Sequence, residues 1–482
     1  MLPSTFERLR GRNPWWRDPN WHTADRQLSR LARAPFEYDP RPLDGISPGV
    51  VYTLLGPRRI GKSTAVKRKI RELLAEGYPP QRVVYYTCDL LDDADALAGL
   101  IEAIYDEARP GGLLEGPDTP FYLFLDEVSA VRSWQLAIKD LHDTTRLEQD
   151  CLVLTGSSVR ELRSGGELLP GRRGRAMDRD RVLLPMSFRS FVSILAPNLL
   201  LPPGGFAPGD FAKLADPSTP LHAELLRPRT LASLPPLQDW LHVYTSIGGF
   251  PLAVADYLSS EEHDILPPTL VEVWDVVRGD LNRYHDVRDS RLPLKILERL
   301  SLNVASPISW NRLAQEASTT VPTVQKYVEL FRDAYLFLVL HRWDQGVPAL
   351  KAEKKVYPMD PLIGRLAAAI HARDRFQLDM TKQVEALLAV ALFRYQVTRD
   401  PLAAFGVEAL SYYRTTRNKE IDFLVGNSHE PFECKYSASP TRSDTKVMSA
   451  SFGRGVLATQ TSINLEGPVA FIPAALLLAM LS

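Results

Sequence analysis

Gly56-Pro57-Arg58-Arg59-Ile60-Gly61-Lys62-Ser63-Thr64 follows the apolar run Val-Val-Tyr-Thr-Leu-Leu and opens a segment with helical periodicity. Its fixed positions match GxxxxGK[ST], and a strand before it with a helix after it is the context that pattern needs. Glycines at 56 and 61 let the backbone wrap so that its N–H groups face phosphate oxygens, with the helix N-terminus adding positive potential. Lys62 is expected to reach the outer phosphates, and Ser63 to offer its hydroxyl to Mg²⁺.

Three further apolar runs of strand length follow, RVVYYTCDL, FYLFLDEV and CLVLTGSS, separated by polar segments of helix length. Near-continuous apolar strands alternating with helices predict a parallel sheet covered on both faces. The second run ends in Asp126-Glu127. Beside a phosphate loop, such a pair predicts a metal-holding carboxylate, Asp126, and a group that polarises the attacking water, Glu127.

The chain has 482 residues, 45% apolar and 24% charged, with 57 basic against 58 acidic side chains. That length allows about three folded units at ~150 residues each. The balance excludes wholesale disorder and a tail-driven polycation, and says nothing against a local basic groove. Cys88, Cys151 and Cys434 lack metal-site spacing and fit a reducing compartment. The first residues carry no apolar signal-peptide core, and the run FIPAALLLAML is too short to span a bilayer, so a cytoplasmic protein without membrane contact is expected.

Downstream, residues 197–236 are dense in proline and read as an irregular insertion in a helical stretch. Residues from 292 show three helix patterns and then FLVLHRW, the cadence of a winged helix-turn-helix. Its third helix offers Thr319, Thr320, Thr323, Gln325, Lys326 and Arg332, with Arg312, Arg342 and Trp343 nearby, a thin electrostatic footprint for DNA. The expected organisation is a lead-in over 1–45, an ATPase core over 46–190, a helical lid with the Pro-rich insertion over 191–290, the winged helix over 291–350 and a small α/β domain over 351–482. Trp15-Trp16 reads as packing, and His285-Asp286, without a nucleophile, as structural.

The last domain contains Glu420-Ile421-Asp422 in one strand-like run and Glu433-Cys434-Lys435 in the next. Strand alternation sets Glu433 and Lys435 on one face, and hairpin pairing would bring Asp422 beside them. Two carboxylates and a lysine suit Mg²⁺-dependent phosphodiester cleavage, the acids holding hard cations and the lysine orienting or deprotonating water. The pattern resembles the PD-(D/E)xK nuclease signature, with Glu385 on an upstream helix as a further acid. Ile421 stands where the strict form has proline. Such a fold can also persist as an inert binding platform.

The chain as a whole resembles the AAA+-like P-loop ATPases of archaea and bacteria that carry a DUF4143 region. The resemblance rests on GPRRIGKST, LFLDEV, TGSS, ELLPGRRGR with LLPMSF, YTSIGGFP, and YYRTTRNKEIDFLV followed by FECKYS. It implies an AAA+-type parallel-sheet core and a restriction-endonuclease-like end domain, with ATP and Mg²⁺ as cofactors. It also implies Ser157 as γ-phosphate sensor, with Ser158 close behind, and Arg172 as an arginine finger, Arg173 and Arg175 being near enough to compete. A finger serving a neighbouring subunit implies a homo-oligomer. The nuclease resemblance makes nucleic acid, DNA in particular, the expected partner, and a nucleotide-dependent switch is the rival reading.

Overall fold

A computed structural model describes residues 5–112, 114–156, 169–214, 216–283, 291–344, 346–370, 379–399 and 410–481. Ser157, Ser158, His285 and Asp286 lie outside the described residues. The chain divides into two compact units, Met1–Leu183 and Leu184–Ser482.

The first unit is built on a five-stranded sheet. Its strands are β1 (Val50–Leu55), β2 (Val83–Thr87), β3 (Tyr122–Asp126), β4 (Cys151–Thr155) and β5 (Asp180–Val182), in the order β2-β3-β4-β1-β5. All four interfaces are parallel. Every residue of β1, β3 and β4 is buried, which is why these strands read as unbroken apolar runs. Parallel strands put their carboxyl ends on one edge, so Gly56, Asp126 and Thr155 emerge together there, the usual ligand edge of such sheets.

The lead-in caps the exposed edge of β2 with side chains. Asn13 donates to the Tyr85 carbonyl at 3.0 Å and accepts from the Tyr85 N–H at 2.7 Å. Trp15 and Trp16 both donate their indole N–H to the Val83 carbonyl, at 2.9 and 3.1 Å. An edge strand left open would invite pairing with another chain, and these contacts blunt it. Asp25 caps helix Arg26–Ala32 through the N–H groups of Gln27 and Leu28 and pairs with Lys67 on helix Lys62–Ala75.

The second unit carries an eight-stranded sheet. Its strands are β6 (Pro307–Ile308), β7 (Phe337–Asp344), β8 (Val347–Pro358), β9 (Leu410–Arg414), β10 (Glu420–Val425), β11 (Glu430–Cys434), β12 (Gly455–Thr459) and β13 (Val469–Pro473). The order is β13-β12-β11-β10-β9-β7-β8-β6. Helices Leu292–Leu302, Trp310–Glu316 and Val321–Asp333 precede the antiparallel β7-β8 hairpin, with β6 on its far side. β9, β10 and β11 form an antiparallel meander, and β12 and β13 add in parallel after helix Lys446–Phe452. β8 runs through residue 350, and helix Phe188–Leu195 through residue 190, so two of the expected domain boundaries fall inside elements.

The Pro-rich stretch departs from the sequence expectation. Helices occupy Pro208–Phe211, Pro220–Leu225 and Pro228–Ile247, the last with Pro235 and Pro236 inside it. Prolines 208, 220 and 228 sit in first helical turns, where the missing N–H costs nothing. The interior pair is tolerated because Thr230, Ser233, Leu237, Leu241 and Tyr244 are buried on both sides of it.

YTSIGGFP follows as a packing joint. The Gly249 N–H donates to Asp360 Oδ2 at 2.7 Å, and its carbonyl accepts from the Met186 N–H at 2.8 Å. A Cβ on Gly249 would lie 2.3 Å from the Met186 carbonyl oxygen. Burial pushes the Asp360 carboxyl up to about 7, against the two backbone N–H bonds and Arg394 that favour its charge. With the folded value above the unfolded one, the neutral form is favoured in the fold. The stability it contributes is full below about pH 4 and lost as pH rises through 7. Thermal midpoints of the wild type should therefore fall over that window relative to Asp360→Asn, whose side chain does not titrate; parallel midpoint curves would refute this.

Candidate functional site

The loop after β1 has the backbone the motif calls for. Gly56 has φ +146° and Gly61 φ +103°, and Arg59 is also left-handed at φ +62°. A Cβ on Gly56 would stand 2.2 Å from the Leu183 carbonyl oxygen, so only glycine lets the loop pass there. Lys62 begins helix Lys62–Ala75, is 6% exposed, and donates from Nζ to the carbonyls of Gly56 at 2.8 Å and Pro57 at 3.1 Å. Those bonds lay its charge along the loop whose N–H groups are expected to hold phosphate.

β4 lies between β1 and β3, so its last residue separates the loop from the acidic pair. Thr155 donates its hydroxyl to Asp126 Oδ1 and accepts from the Glu127 N–H at 3.1 Å. Tyr85, from β2, donates to Asp126 Oδ2 at 2.8 Å. Asp126 is 4% exposed and is thus held through both oxygens. Each oxygen keeps lone pairs beyond the one hydroxyl it accepts, so the carboxylate can still serve a hydrated Mg²⁺. Glu127, next to it, takes a left-handed backbone conformation at φ +54°. Burial, then the neighbouring Asp126, push the Tyr85 phenol far up, so it acts only as a donor.

The two positioning hydroxyls were invisible in the motifs. Thr155 opens the TGSS run, in which Ser157 is the expected sensor, and the role of Tyr85 depends on β2 lying next to β3.

The arginines after the loop separate by partner. Arg172 forks onto Asp143, with Nε and Nη2 each 2.8 Å from a carboxylate oxygen. Arg173 is buried and forks onto Asp180 at 2.7 and 3.1 Å. Arg175 is exposed. A buried ion pair at the β1–β5 junction takes Arg173 out of the competition for a finger.

In the second unit, β10 and β11 pair with Phe423 opposite Phe432, which carries Asp422 alongside Glu433. The Cys434 N–H donates to Asp422 Oδ2 at 2.9 Å. Lys435 Nζ lies 3.4 Å from Glu433 Oε1, the same-face pairing expected from alternation. The β9–β10 register shifts between Ile421 and Leu424.

Glu385, on helix Met380–Arg399, faces the same cluster. It meets Lys355 from β8, whose Nζ is 3.1 Å from Glu385 Oε1, 2.9 Å from Asp422 Oδ1 and 2.7 Å from Glu420 Oε1. Tyr357 donates to Glu385 Oε1 at 2.7 Å. Burial, then the charge of Asp422, push Glu385 up to about 7 and Glu433 to about 8. Burial alone would lower Lys355, but Asp422 and the other acids raise it well above its ordinary value.

The acids of the expected metal set, Glu385, Asp422 and Glu433, each meet a lysine of the same chain. Glu385 and Asp422 point at Lys355, and Glu433 pairs with Lys435. Among the described residues no group of three or more His, Cys, Asp or Glu side chains stands in a metal-holding arrangement.

Three of the arginines near the expected recognition helix are internally paired. Arg312 bonds Glu316 at 2.9 Å, Arg332 bonds Asp333 at 2.9 Å and Arg342, on β7, bonds Asp344 at 3.2 Å. Gln325 and Lys326 are exposed. Among the described residues no helix is long and apolar enough to cross a membrane.

Comparison with known proteins defines the class of the first unit. The AAA domain family matches residues 49–192, a span that takes in the loop, Asp126, Glu127, Thr155 and the three arginines. Residues 49–192 thus form an AAA-type domain built around the loop. Beyond it, two families described as domains of unknown function match, DUF8612 over 238–374 and DUF4143 over 387–469.

An uncharacterized protein of Haemophilus influenzae is 23% identical over 393 residues, which is 79% of this chain and 80% of that protein. An uncharacterized protein of Methanocaldococcus jannaschii is 32% identical over 141 residues, 29% of this chain and 27% of the relative. Among solved structures, a RuvB variant of Thermotoga maritima has a TM-score of 0.25 at 14% identity, covering 62% of this chain and 85% of its own. Cdc6p of Pyrobaculum aerophilum has 0.23 at 16%, covering 77% and 96%. Likenesses at those scores do not rank one activity above another.

Proposed function

We propose that this protein binds ATP on residues 56–64 and hydrolyses it at the carboxyl ends of β1, β4 and β3. The cycle would switch a homo-oligomer that acts on nucleic acid, DNA in particular. The observation that carries the ATPase reading is Thr155, which ties Asp126 and the Glu127 N–H into one rigid group beside the loop holding Lys62. In this reading the loop N–H groups and Lys62 bind the phosphates, and Ser63 and Asp126 hold Mg²⁺. That ion, when bound, neutralises charge on the phosphates. Glu127 takes a proton from the attacking water, and Ser157 contacts the γ-phosphate. Arg172 exchanges Asp143 for the γ-phosphate of a neighbouring subunit.

For the C-terminal domain two roles were open, phosphodiester cleavage and a binding platform. The gathering of Asp422, Glu433, Lys435 and Glu385 favours a nuclease-like ancestry. The pairing of those acids with lysines of the same chain supports the platform role, because a carboxylate already bonded to an ammonium is a poor ligand for a hard cation.

The test is one set of proteins in two assays. Glu127→Gln should still bind Mg-ATP while phosphate release falls about 100-fold, as expected for loss of a general base. On labelled single- and double-stranded DNA and RNA with Mg²⁺ or Mn²⁺, neither wild type nor Glu433→Ala should cut. Full turnover in Glu127→Gln would sink the ATPase reading. Cleavage that disappears in Glu433→Ala would sink the platform reading and establish the nuclease.

A further inference from the structure

Lys355 belongs to no motif, yet it is a buried charge, with its side chain 1% exposed. Its ammonium donates to Glu385 and Asp422 and lies within ion-pair distance of Glu420, three carboxylates from two elements. Glu420 and Asp422, two residues apart, share one face of β10, and Glu385 comes from helix Met380–Arg399. An ammonium has three donors and no acceptor, so two are spent on Glu385 and Asp422 while Glu420 adds a third negative charge beside it. The remaining contacts are also internal. Asp422 Oδ2 takes the Cys434 N–H, Glu385 Oε1 takes the Tyr357 hydroxyl, and Arg414 Nε lies 3.7 Å from Glu420 Oε2. A divalent cation bound by Asp422 and Glu385 needs their oxygens at about 2.0–2.6 Å, depending on the metal, and would have to share them with that ammonium.

We infer that Lys355 stands in the cation position of the C-terminal acid cluster. This built-in cation holds Glu385, Glu420 and Asp422 together without a divalent ion, and the cluster accepts a divalent ion only when the lysine is removed. The inference rests on the platform reading and gives its physical cause. Its strand also matters. β8 pairs with β7, and β7 pairs in parallel with β9, so the lysine reaches the cluster from the hairpin half of the sheet and fastens the two halves together.

Mn²⁺ is the probe, followed by the electron paramagnetic resonance of free ion and by calorimetry on the full-length protein without nucleotide. Wild type, Asp422→Asn and Glu385→Gln should bind the same number of Mn²⁺ ions. Lys355→Met should bind one more per chain, lost again in Lys355→Met/Asp422→Asn, and Mn²⁺ should raise its thermal midpoint. A wild-type Mn²⁺ site that Asp422→Asn or Glu385→Gln abolishes would overturn the inference, as would a folded Lys355→Met that gains none. Should Lys355→Met not fold, the comparison of wild type with the two acid variants decides alone. Asp422-dependent binding without cleavage would overturn only this inference. Cleavage lost in Glu433→Ala would remove the platform reading beneath it.

Discussion

Lys62→Ala is expected to cut ATP turnover about 100- to 1,000-fold, the range seen when one preorganised charge at a reacting centre is deleted. The lysine is the first residue of its helix and 6% exposed, and its Nζ is already held to the loop by the Gly56 and Pro57 carbonyls. It therefore spends little freedom when it turns to phosphate. Alanine removes the charge and both loop bonds while keeping good helix propensity at that position. The loop glycines and the Asp126–Thr155–Tyr85 group are untouched, so the sheet edge should stay in place. Phosphate release at saturating Mg-ATP measures the loss, and a fluorescent ATP analogue separates weaker binding from slower chemistry. Turnover within about twofold of wild type would mean that the loop is not where ATP is hydrolysed.

What could be read from the sequence was local. The strand, loop and helix around Lys62 are contiguous, and the acidic strand end is fixed by burial of the residues before it. The hairpin that sets Asp422 beside Glu433 follows from alternation in two runs only a few residues apart. What could not be read was set by strand order. Tyr85 meets Asp126 41 positions away, and Lys355 meets Asp422 67 positions away. In KAEKKVYP, Lys355 looks like any charge on a solvated strand, and only the β7–β9 junction turns it inward. The prolines at 235 and 236 misled for the complementary reason. Local chemistry argues against a helix there, and tertiary burial of its flanks overrides it.

The neighbouring arginines 172 and 173 should fail in different ways. Arg173 and Asp180 are 8% and 6% exposed, and their fork is joined by Thr53, whose hydroxyl donates to Asp180 Oδ1. Thr53 also faces Asp180 in the β1–β5 register, so this cluster fastens the short edge strand to the strand that carries the loop. Arg173→Met would leave a buried carboxylate without its partner, an imbalance worth about 3–5 kcal/mol. Urea unfolding should register that loss, and Arg173→Met/Asp180→Leu should recover more than half of it, because the double variant buries no unpaired charge. A single variant as stable as wild type would show that Asp180 finds water or another donor. Arg172 gives the contrast. Its partner Asp143 is on the surface, and the guanidinium beside it holds that carboxyl below its ordinary value. Arg172→Ala should leave the unfolding midpoint where it is while lowering ATP turnover if the side chain serves a neighbouring subunit, so that mixing with Lys62→Ala chains restores activity. Unchanged turnover would leave Arg175 as the remaining candidate, since Arg173 cannot leave Asp180 without loosening β5 from the strand that carries the phosphate loop.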